Sequence, residues 1–70
     1  REVTQERFPM LSPAELDVCR LVEQGLTLKQ IAEALGKSTS NVSTVRGNIR
    51  KKLGLLPNDD LCNFLKSFNG

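Results

Sequence analysis

The chain contains no histidine. That excludes a Ser–His or Cys–His nucleophile pair, and with it the commonest routes to covalent catalysis. It also removes any Cys/His spacing for zinc. Cysteine is scarce: Cys19 and Cys62 are too few for a disulfide scaffold. They read as small buried hydrophobes of a reducing compartment, the cytoplasm. No apolar run approaches the roughly 20 residues of a membrane span. Residues 1–11 are polar and form no signal peptide. No glycine-rich phosphate loop is present, because Gly25 and Gly36 stand where helices should stop. Asp59 and Asp60 lack the ligand count that calcium needs. The expectation is therefore a protein with no cofactor, no metal site, no membrane contact and no enzymatic activity. The chain begins at Arg1 rather than Met, which reads as a piece of a longer protein.

What is present is one small domain of 70 residues. A chain this short buries limited apolar area, and a compact all-α bundle suits it. Its net charge is only +2. The distribution is more telling. Residues 1–36 hold four cations and six acids, whereas residues 37–70 hold six cations and two acids. Between 37 and 52 stand Lys37, Arg46, Arg50, Lys51 and Lys52, with no acid among them. A local field of that sign favours an anionic partner, although a solvated basic face would carry the same charges.

Four helices are predicted. Residues 1–10 show no sustained period, contain Pro9 and are expected to be a linker or tail; the domain proper spans 11–70. The first helix, 13–24, opens with Ser12 as N-cap, Pro13 at the first position and Glu15 at the third, a capping box. Leu11 and Leu16 can staple its entry, and Gly25 stops it. The second, 28–35, opens with another capping box, Thr27 to Gln30, and Gly36 stops it. Eight residues are too few to hold a helix alone, so packing must support it. The third, 39–53, has Ser38 as N-cap and Gly54 as stop. Val42, Val45, Ile49 and Leu53 form a narrow seam along it. At about 100° per residue, Ser40, Ser43, Thr44, Gly47, Asn48 and Lys51 fall on the opposite side. The fourth, 59–67, follows Pro57 with Asn58 as the expected cap. Leu61 and Leu65 should face the core, with Lys66 and Phe68 nearer the surface.

The second and third helices with their short connection have helix-turn-helix proportions. In that arrangement the later helix enters the DNA major groove through its N-terminal half. The composition of 39–53 suits this. Short hydroxyls and amides let the backbone approach base edges, and cations in the later turns suit phosphates. Gly47 costs helix stability, roughly 0.5–1 kcal/mol against Ala, which close approach to DNA would justify. An amphipathic helix with its polar side in water has the same periodicity.

The stretch "LSPAELDVCRLVEQGLTLKQIAEALGKSTSNVSTVRGNIRKKLG" resembles the LuxR-type, also called GerE-type, helix-turn-helix of bacterial transcription regulators. The matching elements include Leu11-Ser12, Glu15, Val18, Gly25-Leu26-Thr27, Lys29-Gln30-Ile31-Ala32, Leu35, Ser38, Val42, Arg46, Asn48, Ile49 and Lys52-Leu53. The resemblance implies a four-helix DNA-binding domain at the C-terminus of a longer regulator, downstream of a receiver or sensor domain. It implies a recognition role for 39–53 and a homodimer on double-stranded DNA, joined through the fourth helix at Phe64 and Phe68. Contacting positions of the family fall on Ser43, Thr44, Val45, Arg46 and Gly47, and a lysine position on Lys52. With the basic and polar neighbours, the candidate DNA-binding set is Lys37, Ser38, Ser40, Asn41, Ser43, Thr44, Arg46, Gly47, Asn48, Arg50, Lys51 and Lys52. The family often has Lys at Ser43, His at Val45, Asn at Leu28, Thr at Asn41 and an aliphatic residue at Lys37. Those departures bear on the target sequence rather than the fold. The last region of a sigma factor shares several of the same spacings but normally ends soon after its recognition helix. A protein-interaction bundle docking an acidic partner is the third reading.

Overall fold

The computed structural model describes residues 3–69, with side chains through residue 67. It contains α1 (Pro13–Glu23), α2 (Leu28–Leu35), α3 (Thr39–Leu53) and α4 (Leu61–Asn69), and no strand among the described residues. The bounds follow from local chemistry. Ser12 and Glu15 form a reciprocal capping box at the head of α1, and Thr27 and Gln30 form another at α2. The Ser38 hydroxyl accepts the Asn41 N–H at 3.1 Å and opens α3. Each of these helices ends where Gly25, Gly36 or Gly54 turns left-handed, with φ of 88°, 65° and 74°. The next N–H then reaches back to the last turn: Leu26 to the Leu21 carbonyl, Lys37 to Ala32 and Leu55 to Arg50.

Helix α1 is the hub and packs against the other three, while α2 packs on α3. Leu16, Val18, Cys19 and Val22 of α1 meet Ile31 and Ala32 of α2, Val42 and Ile49 of α3, and Leu61 and Leu65 of α4 in one core. The expected placement of Leu61 and Leu65 inside and Lys66 outside holds. Phe64 is half-buried against the core; the Phe68 side chain lies outside the described residues.

Beyond α1 ending one residue early, at Glu23, and α4 running two residues further, to Asn69, two features differ from the sequence reading. Helix α4 starts two residues later than expected, and its cap is not Asn58. Pro57 and Asn58 form the middle of a turn closed by Asp59 N–H to the Leu56 carbonyl at 3.0 Å, with the Asp59 carboxylate accepting the Leu56 N–H at 2.8 Å. Asp60 is then the first residue free to cap, and its carboxylate accepts the Asn63 N–H at 3.2 Å. Second, the stretch before α1 is packed. Val3 and Phe8 are as deeply buried as Leu11. Phe8 N–H bonds to the Thr4 carbonyl, the Gln5 amide reaches the Leu11 carbonyl at 2.7 Å, and Arg20 Nε donates to the Val3 carbonyl at 3.0 Å. Irregular backbone buries side chains without a period, so periodicity gave no sign of this.

Candidate nucleic-acid interface

Helix α3 is divided lengthwise. Val42 and Ile49 are completely buried, and Val45 and Leu53 pack partly against the core. On the other side Ser40, Asn41, Ser43, Thr44, Asn48 and Lys51 are exposed, and Gly47 is half-buried among them. Lys37 and Ser38, at the entrance, are also exposed. The outward side is therefore the hydroxyl- and amide-bearing one, free of carboxylates along its length. Thr44 differs from its neighbours. Its hydroxyl donates to the Ser40 carbonyl at 3.1 Å, so its oxygen faces outward as an acceptor only.

The four cations of α3 have different surroundings. Lys52 Nζ lies 2.8 Å from Glu15 Oε1, an oxygen that also accepts the Ser12 N–H at 2.8 Å. One carboxylate thus closes the head of α1 and ties down the tail of α3. The Lys52 hydrogen bond is the main reason the Glu15 pKa lies below its ordinary value of 4.5, followed by the Ser12 N–H. Arg50 Nε donates to the Asp59 carbonyl at 3.2 Å and holds the α3–α4 turn. Arg46 is half-buried, and its Nε is enclosed without a hydrogen-bond partner. Lys51 points to solvent with no ion pair recorded among the described residues. An enclosed guanidinium N–H without an acceptor is a local cost to the fold.

Sequence reasoning located the outward face but missed the Glu15–Lys52 pair. The two residues are 37 apart, and no local pattern can signal such a meeting. The expectation of two buried cysteines holds for Cys19 alone, since Cys62 is half-buried on α4. Cys19 is buried, and burial followed by the nearby Glu15 charge pushes its thiol up to about 12, where the thiolate is absent at neutral pH. No group of three or more potential metal ligands occurs among the described residues, and no described helix is long and apolar enough to cross a membrane.

The family described as "Bacterial regulatory proteins, luxR family" matches residues 9–62. The transcriptional regulatory protein MctR of Rhizobium johnstonii is 39% identical over 54 residues, covering 77% of this chain. The chain spans about a quarter of the length of that relative, 25%. No solved structure matches.

Proposed function

The chain belongs to the luxR family of bacterial regulatory proteins, and from that premise we propose that α3 is a recognition helix seated in the major groove of double-stranded DNA. The coarse function, DNA binding in transcription regulation, comes with the family. The finer reading rests on one observation: α3 buries its apolar seam and turns an acid-free, hydroxyl-rich side outward. Ser40, Asn41, Ser43, Thr44 and Asn48 read base edges, with Gly47 permitting close approach. Lys37, Ser38, Arg46, Arg50 and Lys51 hold phosphates. Lys52 acts mainly by fixing the tilt of α3 against α1 through Glu15.

In this reading the domain is the C-terminal output module of a longer regulator, and residues 1–10 lead to a sensor or receiver domain. Two copies meet through α4 at Phe64 and Phe68 on an inverted-repeat site. The packing of α4 on α1 favours this over the sigma-factor reading, in which no such helix is needed.

Selection of binding sites from random duplex DNA tests the proposal. An inverted repeat is the expected result, with log affinity falling by roughly 0.9 per phosphate neutralised as log salt rises. Arg46→Glu should abolish binding with helicity intact. Binding that ignores salt, or an acidic protein captured in preference to any duplex, would refute it.

A further inference from the structure

The stretch matched by the family begins at residue 9, yet the core of this chain begins at residue 3. Val3 and Phe8 are 1% and 2% exposed, level with Leu11. We propose that residues 3–8 are a positioning element of the DNA interface. Docked in the core, this strap fixes the tilt of α3 through the head of α1; drawn off, it lowers DNA affinity without displacing any side chain from DNA directly. The inference rests on the recognition-helix reading of α3 and adds a control to it.

Three observations carry it. The first is that the strap is built rather than slack. The Thr4 carbonyl accepts the Phe8 N–H at 3.0 Å, and the Thr4 hydroxyl accepts the Arg7 N–H at 3.3 Å. A flexible linker has no such internal bonds. With two apolar anchors as well, the strap has two arrangements, docked and undocked, rather than a continuum. The second is an unbroken line of bonds from the strap to α3. Gln5 Nε2 donates to the Leu11 carbonyl at 2.7 Å, and the Leu11 N–H returns to the Phe8 carbonyl at 3.0 Å. The next residue, Ser12, donates its N–H to Glu15 Oε1, the oxygen that holds Lys52 Nζ of α3 at 2.8 Å. Shifting Leu11 and Ser12 therefore shifts the carboxylate to which α3 is tied. A bistable element joined to a site through such contacts biases that site. The third is a release point at the surface. Arg20 Nε donates to the Val3 carbonyl at 3.0 Å, and its Nη1 pairs with Asp17 at 3.0 Å. The Arg20 side chain is 47% exposed, and with Val3, Glu23 and Gln24 it lines a recess of about 340 Å³. A carboxylate of an adjoining domain entering that recess takes the Arg20 N–H from the Val3 carbonyl, because a charge-assisted bond is the stronger.

The test uses this chain and a duplex carrying one half-site recovered by site selection, so that pairing of copies does not enter. Affinity is measured by fluorescence anisotropy at a temperature where every variant is folded. Val3→Ala, Gln5→Ala and Arg20→Gln should each weaken binding by about 2- to 30-fold, the span of coupling along packed networks. Leu65→Val, a core change on α4 away from the line of bonds, should lower the melting temperature and bind as the unaltered chain does. Gln5→Ala combined with Lys52→Met should lose little more than the larger single loss, because both cut the same line. Coupling is reciprocal, so the duplex should slow hydrogen exchange at the Phe8 and Leu11 amides. A strap that only stabilises the fold would move melting temperatures and leave affinity alone. That result overturns the proposal, as does an equal loss of affinity in Leu65→Val at a matched drop in melting temperature, or exchange at the strap amides that ignores the duplex. An unaltered chain that binds no duplex at any salt removes the DNA reading itself, and the strap's role with it.

Discussion

Lys52 and Glu15 show how much one side chain can be asked to do. Glu15 is buried, completes the α1 capping box and accepts the Lys52 ammonium on the same oxygen. Lys52 keeps 42% of its side chain exposed, so the pair is partly screened and contributes only about 1 kcal/mol. Its pH dependence has a definite sign. Because the folded pKa of Glu15 is depressed, the contribution is complete above the ordinary carboxylate range and disappears as pH falls through the folded value. Lys52→Met should flatten the acid limb of a stability–pH curve while leaving stability near pH 7 lower by about that amount. Denaturant titrations from pH 7 down to pH 3 would measure it. An unchanged acid limb would mean that the Ser12 N–H alone depresses the carboxyl.

The α3–α4 turn shows the same economy at the scale of an element. Pro57 and Asn58 are committed to the turn, Asp59 fixes it from both its backbone and its carboxylate, and Asp60 starts α4. Caps are worth about 1 kcal/mol, within a range of 0.5–2. Asp60→Ala should therefore destabilise by about that much, and Asn58→Ala by a few tenths at most. Thermal melts of the two variants compare them directly. Equal losses would mean that the turn rather than the cap sets the start of α4. Helix α2 makes the complementary point. With eight residues it cannot persist unaided, and its buried Ile31 and Ala32 are what keep it in place beside α3.

At the scale of the whole molecule, a bundle of this size needs every apolar side chain it can enclose. Val3 and Phe8 are therefore not incidental. They close the core from outside the helices, and Arg20 holds the strap down through the Val3 carbonyl. Phe8→Ala should cost about 3–5 kcal/mol, enough to unfold a marginal domain. Urea titration would show it, and a loss below about 1 kcal/mol would mean that the segment only rests on the surface. The charge split is also a property of the whole molecule. Acids gather toward the N-terminal half and cations on and around α3, so the field is directed to one side although the net charge is small.

The sequence by itself determined the helices and the outward side of α3. Caps, glycine stops and apolar spacing are local, each acting within about one helical turn, so α2 and α3 could be bounded to the residue. The tertiary structure alone decided that Lys52 turns to Glu15, that Arg46 Nε is enclosed without an acceptor, and that Phe8 enters the core. Those outcomes depend on which surfaces the bundle brings together across distant stretches of chain. A hydrogen bond or a burial between residues 37 apart leaves no periodic trace, because nothing in the intervening spacing constrains it.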